Sequence, residues 1–165
     1  MVEVGKFTIV EKHETHRKLI LNNVSRGNSY NPQLINEIKN FFEDSKKENL
    51  KFIILSSEGK NFCTGADLKW MAEGSRLSAE KNFKEMEALA EMYDAIDKLP
   101  VPILAKIQGK VIGGGVGLAS CCDYALAADN CQFSLPEISK GLVPGIITPL
   151  IIRKCGLPAF QDWST

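Results

Sequence analysis

The sequence predicts a single α/β domain assembled from repeated units of strand, glycine turn and helix. Phe52-Ile53-Ile54-Leu55 is a continuous apolar run bounded by charge, the pattern of a strand covered on both faces, and it leads through a polar turn into Gly65-Ala66-Asp67 and a helix start. The same order recurs about fifty residues later, where Ile103 to Ile107 precedes Gly113-Gly114-Gly115 and a small, apolar stretch, a spacing compatible with a repeating supersecondary unit. No linker, low-complexity segment or charge block divides the chain.

The elements follow in order. Alternation in Phe7-Thr8-Ile9-Val10-Glu11 and the apolar Leu19-Ile20-Leu21 predict two strands joined by a polar turn around Glu14 to Arg17. Asn31-Pro32 supplies an N-cap with proline at the first helical position. Leu34, Ile35, Ile38, Phe41 and Phe42 then recur at helical spacing, so a helix is expected from Pro32 to about Glu48. After the strand at Phe52, a second long helix is expected over Ser78 to Lys98, with Phe83, Met86, Leu89, Ala90, Tyr93 and Ile96 on its apolar face. Pro100 and Pro102 end it before the strand at Ile103. Gln108 to Gly115 reads as a turn, Val116 to Cys122 as a short buried helix, Tyr124 to Ala128 and Gln132 to Ser134 as short strands, and Thr148 to Lys154 as a helix after the Pro144-Gly145 turn.

Composition narrows the function. A chain of 165 residues, 44% hydrophobic and 24% charged, suits one globular domain with a sizeable core. Twenty basic residues balance twenty acidic ones. That balance offers no electrostatic argument for a nucleic-acid or anionic-membrane partner and favours a small molecule. No segment reaches the roughly 18 consecutive apolar residues of a membrane span, and a cytoplasmic protein is expected. The cysteines Cys63, Cys121, Cys122, Cys131 and Cys155 form no C-x-x-C pair, so free thiols are expected, with neither a disulfide framework nor a metal site.

Two places are suited to chemistry. A helix N-terminus exposes N–H groups without intrahelical partners, and a glycine there admits close approach of a ligand. If Ala66 and Gly114 bring their amides together, they form an oxyanion hole for a polarised carbonyl. Each glycine taken alone is better explained by a tight turn or close packing; the recurrence after two strands favours the functional reading. Glu137, in Phe133-Ser134-Leu135-Pro136-Glu137, is either a surface carboxylate after a proline turn or a partly buried one whose raised pKa suits proton transfer near neutrality. Asp67, Asp123 and Asp129 fit helix starts and strand ends. Gly115 to Ser120 nearly matches G-x-G-x-x-G but lies too far beyond its strand for a dinucleotide fold. G-x-S-x-G and a Walker loop are absent, and His13 and His16 lie near the opening hairpin, which leaves proton transfer to the carboxylates.

From Phe7 to Gly156 the chain resembles the crotonase family of enoyl-CoA hydratases and isomerases. The resemblance is carried by Leu19 to Asn23 with Arg26-Gly27-Asn28, Asn61 to Leu68, Gly109 to Gly117, Cys122-Asp123, Phe133, Pro136-Glu137 and Gly141 to Gly145. It implies a spiral of repeated ββα units and an acyl-CoA thioester as substrate, with coenzyme A part of that substrate and no separate cofactor. It also implies thioester oxygen held by the Ala66 and Gly114 amides, Glu137 as catalytic carboxylate, CoA along Arg26, Asn28, Thr64, Asp67 and Leu68, and the acyl portion beside Gly113, Gly117 and Met71.

Two departures from the family pattern shape the expected activity. Two-glutamate hydratases carry a second acid where this chain has Gly117. A single glutamate resembles the Δ3,Δ2-enoyl-CoA isomerases and also a branch of 3-methylglutaconyl-CoA-type hydratases, to which Gly65 to Met71, Gly113 to Leu118 and Gly141 to Pro144 look closest. Hydration is the first expectation. Isomerisation and a catalytically silent acyl-CoA-binding module are the alternatives. The family usually continues past the position of Gly156 into helices that close the acyl pocket and help build trimers or hexamers; this chain, ending at Thr165, is expected to lack most of that region.

Overall fold

The computed structural model of the chain describes residues 1–163. Strands β1 (Val2–Val4) and β2 (Thr8–Lys12) form an antiparallel meander with β3 (His16–Leu21). From β3 onward the backbone repeats a long strand, a short strand and a helix. The first unit is β3, a one-residue bridge at Tyr30, and α1 (Pro32–Ser45). The second is β4 (Phe52–Ser57), a bridge at Cys63, and the helices α2 (Leu68–Gly74) and α3 (Ala79–Asp97). The third is β5 (Ile103–Ile107), β6 (Lys110–Ile112) and α4 (Gly114–Cys121). The fourth is β7 (Tyr124–Ala127), β8 (Gln132–Ser134) and α5 (Thr148–Trp163).

The long strands make one sheet in the order β1-β2-β3-β4-β5-β7, parallel from β3 onward. Leu19 pairs with Leu55, Leu55 with Ala105, and Ala105 with Ala125. The first three of these have no solvent exposure, which places the core against the sheet centre. The short strands form a second parallel layer through Tyr30–Ala66, Cys63–Val111 and the β6–β8 pair. The expected ββα spiral is therefore present, in four units where the glycine pattern alone marked two.

Local chemistry accounts for the helix starts. The Asn31 side chain accepts from the Leu34 N–H at 2.9 Å, with Pro32 in the first turn, and Asp67 Oδ1 accepts from Lys69 and Trp70. Helix α1 buries Leu34, Ile35, Ile38, Phe41 and Phe42, each a side chain worth about 1.5–3 kcal/mol when taken from water. Helix α1 packs on α3, and α4 packs on α5.

Four expectations need correction. The residues Lys110 to Ile112, read as turn, form β6 because they pair with β8. The hairpin turn is tighter than expected, since His16 and Arg17 already belong to β3, His16 paired with Phe52 and Arg17 with Lys12 and Ile53 in the same sheet. Only the C-terminal half of α3 is buried, through Met92, Tyr93, Ala95 and Ile96; Phe83 is 68% exposed and Ala90 is exposed, because the N-terminal half stands beyond the sheet and walls a cavity. Helix α5 continues beyond Lys154 to Trp163 across a kink at Gly156, whose φ of 81° is a left-handed conformation suited to glycine. Among the described residues, no helix is long and apolar enough to cross a membrane.

Candidate active site

A cavity of about 550 Å³ opens where the second and third units meet. Thr64, Gly65 and Ala66 enter from the turn after β4, and Gly113 and Gly114 from the turn after β6. Helices α2 and α3 contribute Trp70, Met71, Met86 and Leu89, and the loop after β8 contributes Pro136 and Glu137.

The two turns are stitched edge to edge. The Ile112 N–H donates to the Cys63 carbonyl at 2.9 Å, and the Gly65 carbonyl accepts from Tyr30 at 2.7 Å. Gly65 has φ of 81°, and a β-carbon there would stand 2.8 Å from the Ile112 carbonyl oxygen and 3.4 Å from the Gly114 nitrogen. Among the described residues, neither the Ala66 nor the Gly114 N–H donates to another group of the chain. Gly114 opens α4, where the first-turn amides have no intrahelical acceptor.

Glu137 lies against Gly113, where a β-carbon would overlap Oε1 and approach the carboxyl carbon to 3.4 Å. Its Oε2 is buried without a hydrogen-bond partner. Burial raises the Glu137 carboxyl above its ordinary value of 4.5, against the opposing pull of its own backbone amide and of Lys140. A proton-accepting carboxylate beside two unpaired amides has the components for moving a proton next to a polarised carbonyl.

Other residues singled out in the sequence fall into two groups. Thr64 and Met71 line the cavity with Ala66, Gly113, Gly114 and Glu137. Arg26, Asp67 and Leu68 cluster outside it: Arg26 Nε is 3.9 Å from Asp67 Oδ2, and Leu68 is 68% exposed. Asn28 and Gly117 lie apart from both groups. Asn28 is 1% exposed; its Nδ2 donates to the carbonyls of Glu58 and Asn61 at 2.9 Å, and its Oδ1 is buried without a hydrogen-bond partner. Gly117 does not line the cavity; it sits behind Ile147 and Tyr93, with a β-carbon position 3.1 Å from the Tyr93 hydroxyl and overlapping Ile147.

Four residues of the cavity wall escaped sequence reasoning as site residues. Tyr30 and Tyr93 are buried, and both hydroxyls donate to the Gly114 carbonyl, at 3.1 and 2.8 Å. Trp70 Nε1 donates to Glu85 Oε2 at 2.8 Å, tying α2 to α3. The available signal was chemical: a buried tyrosine or tryptophan needs a partner for its polar atom. Burial pushes the Cys63 thiol up to about 12, so it is an inert neighbour of the site. Among the described residues, no group of three or more His, Cys, Asp and Glu could hold a metal ion.

Residues 11–161 match the family model described as "Enoyl-CoA hydratase/isomerase". The chain is 33% identical over 141 residues to the enoyl-CoA hydratase AKT6-1 of Alternaria alternata, covering 85% of this chain and 45% of that protein. It is 34% identical over 142 residues to a crotonyl-CoA hydratase of Syntrophomonas wolfei, covering 83% of this chain and 52% of that protein. This chain thus spans about half the length of these curated relatives. Among solved structures, an enoyl-CoA hydratase from Shewanella pealeana superposes with a TM-score of 0.91 at 30% identity, over 95% of this chain and 60% of that one. AtuE of Pseudomonas aeruginosa superposes with a TM-score of 0.91 at 28% identity, over 96% and 62%.

Proposed function

The chain belongs to the enoyl-CoA hydratase/isomerase family, and on that premise we propose that it is an acyl-CoA hydro-lyase with a single catalytic carboxylate. The observation that carries the reading is Glu137, whose Oε2 is buried and unpartnered in the cavity that Ala66 and Gly114 also line. Bound with its thioester oxygen at those two amides, a 2-enoyl-CoA has a carbonyl already polarised. Glu137 takes a proton from water as the oxygen of that water bonds to the β-carbon, and the π electrons move to the thioester oxygen as an enolate. The protonated Glu137 then returns its proton to the α-carbon, restoring the carbonyl. Negative charge develops on the thioester oxygen in the transition state, which is where two fixed amides lower the barrier. Arg26, Thr64, Asp67 and Leu68 form the flank assigned to the CoA portion, and Met71 with the α3 wall takes the acyl portion.

Gly117 favours a second reading. Ile147 and Tyr93 occupy the space next to it, and Glu85, the other carboxylate of the cavity wall, is tied to Trp70; that leaves Glu137, and one carboxylate suffices to carry a proton between carbons of a 3-enoyl-CoA. Incubation with 2-enoyl-, 3-enoyl- and glutaconyl-CoA followed by mass and chromatographic analysis separates the readings. Hydration adds the mass of one water; isomerisation conserves mass and moves the double bond. Thioester binding with neither product from any of the three would sink both and leave a binding module.

A further inference from the structure

Gly114 sits inside a run of three glycines, the least constrained backbone a first helical turn can have, yet its amide is the one that the proposed chemistry needs held still. The peptide before it is restrained from within the helix, since the Gly113 carbonyl accepts from Val116 at 2.8 Å and Gly117 at 3.3 Å. The peptide after it is restrained from outside. Its carbonyl receives the Tyr93 hydroxyl at 2.8 Å and the Tyr30 hydroxyl at 3.1 Å. The two rings meet edge to face, with centroids 6.4 Å apart, and both residues are almost wholly buried. Tyr30 comes from the first unit and Tyr93 from the second, while Gly114 belongs to the third.

Burial raises the phenol of each tyrosine well above its ordinary range, so both stay protonated and remain donors. The fit around them leaves no slack. A β-carbon on Gly114 would stand 2.7 Å from Tyr30 Cε2 and 3.1 Å from the Tyr93 hydroxyl, and one on Gly117 would also reach that hydroxyl at 3.1 Å. Gly117 therefore makes room for the tyrosine that holds Gly114.

We infer that Tyr93, backed by Tyr30, is a positioning residue: through the Gly114 carbonyl it fixes the orientation of the Gly114 amide that polarises the thioester. The inference rests on the proposed role of the Ala66 and Gly114 amides. Phenylalanine keeps each ring and removes only the hydroxyl, so Tyr93→Phe, Tyr30→Phe and the double variant isolate the effect. Two measurements are made on each: steady-state kinetics with crotonyl-CoA, and the infrared band of the thioester carbonyl of isotope-labelled butyryl-CoA, a thioester with no double bond to hydrate. The wild-type protein is expected to lower that band relative to free thioester. Tyr93→Phe is expected to lose part of the lowering and to reduce kcat about threefold to tenfold with KM within about twofold, the double variant losing more. A band left at the wild-type position in Tyr93→Phe and the double variant overturns the inference, whether or not kcat or thermal stability falls. A wild-type protein that leaves the band of free thioester unmoved fails at the earlier step and removes the assignment of the amides themselves.

Discussion

Gly117 is the position where the family resemblance implies that two-glutamate hydratases carry their second acid, and the packing around it is measurable. A β-carbon at this position would overlap the Ile147 side chain, lie 3.0 Å from its Cβ and 3.1 Å from the Tyr93 hydroxyl. In Gly117→Ala the helix interior gains about 1 kcal/mol from alanine propensity, while overpacking costs roughly 1–3 kcal/mol, for a net loss between about zero and 2 kcal/mol. Ile147 is 5% exposed. Its replacement by alanine alone costs about 2–5 kcal/mol in transfer and cavity terms. In Gly117→Ala/Ile147→Ala the overlap with Cγ2 disappears, leaving the 3.0 Å approach to Cβ, and the new methyl occupies part of the vacated space. The double variant should therefore lose less than the sum of the single losses, by about 1–3 kcal/mol, in the range found for residues in contact. Urea titration followed by circular dichroism, with m unchanged across the four proteins, reads this coupling directly. In thermal melts it corresponds to roughly 2–4 °C per kcal/mol for a chain of this size. Single and double losses that add within about 0.5 kcal/mol would refute the packing argument. The coupling also implies that introducing glutamate at 117 requires a smaller residue at 147.

Glu137→Gln should lower hydration at least about a hundredfold and leave KM for the thioester nearly unchanged, measured by initial rates; wild-type turnover in that variant excludes Glu137 as the proton carrier. Because burial raises Glu137 in the folded protein, the native state holds that proton more tightly than the unfolded chain. Its contribution to stability is fully present below the unfolded pKa and is lost as pH rises through the raised value. The stability of Glu137→Gln relative to wild type should accordingly increase across that window, and the acid limb of kcat/KM should lie above 4.5. Asn28→Ala removes two side-chain hydrogen bonds and places alanine at φ 57°. It should cost about 2–4 kcal/mol of stability in urea titration without weakening thioester binding, and Asn28→Gly should recover about 1 kcal/mol of that.

The sequence carried the elements whose signals are local. Asn31-Pro32, Asp67 and Ser78 marked helix starts that the structure caps with those side chains. The apolar runs at Phe52 and Ile103 became central parallel strands. What escaped depends on partners distant in the chain. The bridge at Tyr30 is a single residue with no alternation to read, so the first unit escaped the pattern that marked the units beginning at Phe52 and Ile103. Strand β1 is exposed along its whole length and carries no burial pattern. Phe83 followed helical spacing but faces solvent, since periodicity specifies a face and not what lies opposite it. At the site, Glu137 and the glycine turns were visible as residue types. The crowding that sets Gly117 against Ile147, and the convergence of two phenols on one carbonyl, exist only once all four units have closed on each other.

That closure has a kinetic consequence. The Ala66 and Gly114 amides come from different units, and the bridge that aligns their turns joins Cys63 to Val111 across the intervening α2, α3 and β5. Closing such a loop costs chain entropy before any contact rewards it, whereas α1 and α3 can begin forming from local interactions alone. During refolding, helical signal should return ahead of thioester polarisation, and the cavity chemistry becomes a reporter of the last long-range contacts to form.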